Sequence, residues 1–299
     1  MTPHSVPRVL LATFSLLPDG EPGGELLVRA LADRGIEAAW VAWDGRVRWA
    51  DADLVAVRAT WDYHRRCADF LGWASAVGKE TRLLNGADVF AWNADKAYLT
   101  GLEGRVPVVP SVLLDDRDPD RDPDSGPGGG LRGGLERALD RFGVVVVKPR
   151  TGASGVGVVV AESPDDHRLA GLTAGPWIAQ PLVESVRTRG ETSVFVLDGR
   201  AVSQVDKRPA PGEIRVHEEY GGVSRAVPLD DRAAAAAVRA LAAAGELIGR
   251  PLDYGRVDLM ELDGEPVVSE IELIEPGLYL DVVPGNAEPF ADLVVSRLS

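Results

Sequence analysis

The chain's 299 residues are 45% hydrophobic and 26% charged, which suits a folded protein of two or three compact units and excludes disordered and fibrous classes. A formal net charge of −14 argues against an extended nucleic-acid surface, while leaving room for a phosphate ligand in a local positive field. The single cysteine, Cys67, rules out an internal disulfide framework and a cysteine-rich zinc site, and no apolar run nears the roughly 20 residues of a membrane span.

A signal-peptide layout is also missing, so a cytoplasmic protein without membrane or nucleic-acid partners is expected. The first hundred residues alternate β-like runs (8–14, 38–43, 54–58, 82–85) with helical stretches such as 24–34. That alternation predicts a parallel, Rossmann-like α/β domain, although Ser15-Leu16-Leu17-Pro18-Asp19-Gly20 is not a dinucleotide fingerprint. Cys67 follows His64-Arg65-Arg66 at a helix start. Basic neighbours there would lower its pKa and make a nucleophile; an incidental helix cysteine explains it as well. None of the four histidines has the i, i+4 spacing of a metal pair. Residues 106–114 read as a strand, and the Asp/Pro/Gly-rich stretch 115–130 as a solvated loop. From 144 onward strands come in pairs: 144–148, 156–162, 177–183, 192–197 and 201–207, the last two turning at Asp198-Gly199. Residues 231–249 form the clearest helix, with an Asp start, an alanine run and a terminal Gly. A strand pair at 256–261 and 266–273 precedes a closing helix at 287–298.

Three groups of residues carry chemistry. Lys148 ends a four-valine strand, where it either snorkels to solvent or meets an anion. The following Thr151-Gly152-Ala153-Ser154-Gly155-Val156-Gly157 supplies small residues whose amides can close over phosphate oxygens; by itself such a loop is also an ordinary hairpin turn. Asp258 on one strand and Glu270 and Glu272 on the next form the acidic group. Glu270 and Glu272 share a face by the period of two. A two-residue turn at Asp263-Gly264 pairs Asp258 with Ser269 and puts Asp258 on the other face. A three-residue loop, or a bulge, brings Arg256, Asp258, Glu270 and Glu272 together. Only the second arrangement makes an oxygen-rich magnesium site. Lys207, Arg208, Arg215 and His217 lie on a Pro/Gly-punctuated loop that can meet a carboxylate or phosphoryl group.

In this order the motifs resemble the ATP-grasp superfamily, in its glutathione-synthetase-like branch, over roughly residues 82–280. The resemblance implies an α/β ATP-grasp fold: a Rossmann-like N-terminal domain (1–92), a small subdomain with a glycine-rich lid (93–183) and a metal-carrying subdomain (184–299). It implies ATP held by Lys96, Lys148, Ser154, Gly155 and Val156 at the phosphates, by Gln180, Leu182 and Val183 at adenine, and by Glu191 at ribose. It implies Asp258, Glu270 and Glu272 as ligands of two Mg2+ ions, with Glu272 standing where the branch more often has Asn. Lys148, Arg215 and Arg256 take catalytic roles, and the protein is expected to be a homo-oligomer. The reaction implied is phosphorylation of a carboxylate to an acyl phosphate that a nitrogen then attacks.

For the substrate, Arg58, Trp61 and Tyr63 lie at the carboxyl end of a strand, where open parallel sheets bind ligands. Arg58 would grip a carboxylate between two aromatic walls, aided by Lys207, Arg215 and His217; an aromatic packing role is the alternative. With Glu270-Ile271-Glu272-Leu273-Ile274-Glu275-Pro276, this segment resembles the cyclo-ligases of D-cycloserine biosynthesis. That resemblance implies a small amino-acid-like substrate, O-ureido-D-serine, closed by its own nitrogen. A two-substrate peptide-forming ligase and a non-catalytic ATP-binding regulatory module are the alternatives.

Overall fold

The computed structural model describes residues 6–114, 130–171 and 176–299, so the loop reading for 115–130 lies, apart from Gly130, outside the described residues. The N-terminal part contains β1 (Arg8–Thr13), α1 (Gly24–Ala32), β2 (Glu37–Ala42), β3 (Leu54–Ala59), α2 (Cys67–Glu80) and β4 (Arg82–Leu83). Their sheet is parallel with order β2-β1-β3-β4. β1 and β3 are almost wholly buried, as continuous apolar runs covered on both faces must be.

Helices α3 (Gly86–Asn93) and α4 (Tyr98–Leu102) lead into a second sheet. It is built from β5 (Val112–Leu114), β6 (Val145–Pro149), β7 (Val159–Ala161) and β8 (Trp177–Pro181), antiparallel in the order β5-β8-β6-β7. α5 (Leu131–Phe142) lays Leu135 and Ala138 onto it. The strand expected over 106–114 is reduced to its last three residues. Pro107 and Pro110 cannot donate to a ladder, and Val108 keeps one isolated bridge to Val268.

The third sheet follows α6 (Ser185–Thr188). Its strands are β9 (Glu191–Leu197), β10 (Arg200–Arg208), β11 (Val223–Val227), β12 (Tyr254–Leu262) and β13 (Glu265–Glu272), antiparallel in the order β11-β10-β9-β12-β13. Between β11 and β12, α7 (Asp231–Ile248) covers this sheet with its alanine face. Both helix ends are local: Asp230 accepts the amides of Arg232 and Ala233, and Gly249 at φ 91° closes the C-terminus. The final helix, α8 (Ala287–Leu298), returns to the first sheet, where Phe290, Leu293 and Val294 join Val9, Leu11, Leu27 and Leu31 in one core. Among the described residues no helix is long and apolar enough to cross a membrane.

Candidate active site

A cavity of about 400 Å³ lies where the three sheets meet. Its acidic wall is the β12–β13 hairpin, whose geometry settles the register question. Asp263 and Gly264 are both left-handed (φ 53° and 81°), so Leu262 pairs with Glu265 across a two-residue turn. That turn alone would oppose Asp258 to Ser269. A bulge intervenes: Leu259 pairs with Val268, yet Asp258 pairs with Glu270 and Arg256 with Glu272. The Ser269 hydroxyl marks the bulge, donating to Asp258 O (3.0 Å) and lying 3.1 Å from Glu191 Oε2. All four charged side chains consequently line the cavity. Sequence gave no sign of what fixes the outer edge of β13. Asn93 Nδ2 donates to Ile271 O, Leu273 N donates to Asn93 Oδ1, and Tyr98 both donates to and accepts from Ile271. Asn85, left-handed and buried, ties Tyr254 O to Leu273 O.

Each wall carboxylate has a countercharge. Arg256 donates to both Asp258 oxygens at 2.9 Å and to Glu272; Ser193 and Lys207 also reach Asp258, at 2.6 and 3.2 Å. Lys96 Nζ lies 2.9 Å from Glu270 and 2.8 Å from Gly152 O. Burial opposes ionisation of Asp258, but Arg256 and Lys207 hold its carboxyl below the usual range. Does this wall suit a divalent ion? Among the described residues no group of three or more is already arranged to hold one. Glu270 and Glu272 still fit as hard oxygen donors, side by side and facing the cavity, with negative charge in excess of the cations around them. Asp258 fits less freely, because its oxygens are already taken by Arg256, Ser193 and Lys207.

The opposite wall fits a nucleotide. Lys148 faces the cavity from β6 with no ion pair or hydrogen bond among the described residues; burial pushes its pKa down, with Glu270 pulling the other way. Ser154 (φ 54°), Gly155 (65°) and Gly157 (77°) turn the lid back on itself. A Cβ on Gly155 would stand 3.3 Å from both Arg215 and His217 Nδ1, so lid and basic loop touch. Gln180, Leu182 and Val183 line the cavity, with Val109, Val146, Val186 and Met260 nearby. The Leu182 amide is already donated to Val144 O, and Gln180 Nε2 to Ser111 Oγ. Glu191 lines the cavity but is held by Lys207 at 2.5 Å. Arg215 pairs with Glu213 (2.5 Å) and stacks on Tyr220. His217 keeps a buried Nδ1 without a hydrogen bond among the described residues, its pKa lowered by burial and Lys207.

Two expectations are corrected. Arg58 does not face the cavity. Its fully buried guanidinium lies 4.5 Å from the Phe290 ring centre, donates to Pro276 O and stands 3.7 Å from Glu21, behind the wall that Trp61 and Tyr63 do line. Every residue of β3 is buried, so alternation gave no clue to its direction. Lys207 is likewise sunk beneath the floor, because a buried ammonium takes the nearest carboxylates, here Glu191 and Asp258. Of the two readings of Cys67 the incidental cysteine stands: burial raises its pKa, while Arg66 is engaged by Asp44 and Asp62. Arg58→Met should therefore lower stability by about 3 kcal/mol in urea unfolding by stranding Glu21. A rise in substrate KM without loss of stability would show a contact role instead.

Glu21, which the sequence did not single out, is 3% exposed and accepts the Leu278 amide at 2.6 Å. Burial pushes its carboxyl up to about 7, only partly offset by Arg58. Burial, with Asp258 and Glu270 adding to it, likewise pushes Glu272 up to about 7 against the pull of Arg256. Both groups keep protons in the folded protein that the unfolded chain has lost. Their stabilisation is thus full below about pH 4.5 and disappears as pH rises through about 7. The Tm of the ligand-free protein should fall between pH 5.5 and 7.5, and less steeply in Glu21→Gln. A scanning calorimetry series showing the same slope in both proteins would count against Glu21.

Comparison with known proteins bears on this geometry. The pattern described as "D-cycloserine synthetase DcsG, N-terminal domain" matches residues 9–85, and that of the RimK-like ATP-grasp domain matches residues 136–279. The chain is 33% identical over 284 residues to the cycloserine biosynthesis protein DcsG of Streptomyces lavendulae, covering 91% of this chain and 92% of that protein. It belongs to the DcsG family of ATP-grasp ligases. The crystal structure of D-cycloserine synthetase DcsG superposes with a TM-score of 0.83 at 30% identity, over 98% of this chain and 100% of that one. An ATP complex of the D-alanine–D-alanine ligase from Bacillus anthracis shares the fold (TM-score 0.65, 16% identity, 97% of each chain). This DcsG-family chain is accordingly an ATP-dependent ligase of the ATP-grasp fold, in a family that uses ATP with a divalent metal. The resemblance expected from its motifs holds.

Proposed function

We propose that the protein phosphorylates the carboxylate of a small amino-acid-like substrate, O-ureido-D-serine or a close relative, and closes it into a ring through the substrate's own nitrogen. One observation carries this reading: the N-terminal segment matching the D-cycloserine synthetase domain contributes Trp61 and Tyr63 to the same cavity as Lys148 and the β12–β13 carboxylates. Adenine lies along 180–183 with Val146 and Met260 as apolar walls, and the triphosphate runs under the 151–157 lid. Lys148 takes phosphate charge directly. Lys96 does so by exchanging Glu270 for a phosphate oxygen. When bound, Mg2+, two ions in this reading, would neutralise phosphate charge, with Glu270 and Glu272 as its principal protein ligands and Asp258 at the margin. Arg256 and Arg215 face the carboxylate being activated and stabilise the oxyanion formed when nitrogen attacks. The lid and the basic loop exclude water that would hydrolyse the acyl phosphate. Tethering of nucleophile and electrophile supplies the entropic advantage of ring closure.

The test is ADP and phosphate release across a panel of amino-acid-like carboxylates, with product analysis. Release with O-ureido-D-serine and a cyclic product supports the reading. Release only when an acid and a separate amine are both supplied transfers the protein to intermolecular ligation. Sedimentation of the purified protein tests the accompanying homo-oligomer reading.

A further inference from the structure

Most of the charged groups sunk around the cavity have a direct partner. Lys96 is committed to Glu270, Arg256 to Asp258 and Glu272, Lys207 to Glu191 and Asp258, and Arg215 to Glu213. Among the described cavity residues, the half-buried Lys148 is the cation left over, and the triphosphate accounts for it. The buried carboxylate left over is Glu275. It is 8% exposed and lines the cavity, and among the described residues its carboxyl makes no ion pair and no hydrogen bond beyond its own backbone amide. A carboxylate in such a place costs several kcal/mol unless a cation arrives. Burial, reinforced by Glu272, raises its pKa well above the carboxylate range, as befits a group without its countercharge.

The surroundings indicate what kind of cation fits. Trp61 donates its indole N–H to Glu275 O at 3.3 Å, and Tyr63, whose own pKa the Glu275 charge raises after burial, stands at the same wall. Gly277 keeps the next position open: a Cβ there would be 3.4 Å from the Trp61 ring and 3.7 Å from Glu21 Oε2. Aromatic faces beside a carboxylate suit an organic ammonium. An α-ammonium is two bonds from the carboxyl carbon, so its acceptor must adjoin the groups that handle that carboxyl. Glu275 meets this condition: it lines the same cavity as Arg256 and Arg215 and feels the charge of Arg256.

We infer that Glu275, walled by Trp61 and Tyr63, binds the α-ammonium of the substrate and selects amino acids over acids lacking that group. This rests on the carboxylate-activating reading above and names the recognition element within it. The experiment compares O-ureido-D-serine with its analogue carrying hydrogen in place of the α-amino group, in wild type, Glu275→Gln and Glu275→Asp. In Glu275→Gln, kcat/KM for the amino-bearing compound should fall roughly 10- to 100-fold, as for loss of a charged hydrogen bond, with the KM for ATP and the Mg2+ dependence unchanged. The analogue should lose less than about threefold or improve, and Glu275→Asp should recover part of the loss. Equal losses for both compounds, an unchanged rate with the amino-bearing one, or a shifted Mg2+ dependence would overturn the assignment. Wild type consuming no ATP with either compound would instead defeat the underlying reading of the reaction.

Discussion

Lys148→Met is expected to reduce kcat by about 1000-fold or more, roughly 4 kcal/mol of transition-state stabilisation, while leaving the protein folded and at least as stable as wild type. Both halves follow from its position. As the cavity cation with no direct partner among the described residues, it has Glu270 only at longer range to offset burial, which pushes its pKa down. Its replacement by an uncharged chain of similar volume removes that burden from the ligand-free protein. The developing charge on the transferred phosphoryl group then lacks a fixed partner. Melting curves and steady-state ADP release read the two halves separately. A variant that keeps full activity would remove Lys148 from the phosphate site; one that fails to fold would make it structural.

Arg256→Met should have the second-largest effect, and of the opposite character. Arg256 is 5% exposed and satisfies Asp258 and Glu272 at once. Its loss leaves those carboxylates facing each other and Glu270 in a buried wall, at a cost of about 3–5 kcal/mol. Activity should fall about 100-fold as oxyanion stabilisation is lost. If the wall takes a divalent ion, Mg2+ with ADP should raise the Tm of the variant by more than it raises that of wild type, since the ion replaces part of the missing charge. An equal or smaller rise would show that the wall does not share Arg256 with the metal.

How much of this was legible in the sequence differs from element to element, for physical reasons. α7 announces both of its ends, because an Asp N-cap, an alanine face and a left-handed Gly are local signals. The strands around it follow from local hydrophobic runs and turn residues. The β12–β13 register was open between two alternatives, and the chain uses the tight turn together with the bulge. Nothing local could choose, since the bulged Ser269 is held by Glu191, 78 residues away. Lys207 and Arg58 were legible as cations but not as buried ones, because their partners Asp258 and Glu21 are remote in sequence. Asn93, Tyr98 and Glu21 escaped notice for a related reason: single polar residues inside helical or loop segments have no periodicity to betray them. Glu275 carried a faint signal as the third acid in an otherwise apolar run after Ser269.

The return of α8 to the first sheet bears on how the molecule is made. Leu27, Leu31, Val9 and Leu11 find part of their cover only in Phe290, Leu293 and Val294, which leave the ribosome last among these residues. The Rossmann-like portion therefore cannot finish its core while the chain is growing, although the second sheet and its helix can close on their own contacts. Expressed alone, residues 1–92 would emerge with an uncovered apolar flank and depend on chaperones or aggregate. The N-terminal core is thus completed after the second sheet, and a nascent chain can close the sheet that carries the 151–157 loop before it can close the flank that α8 covers.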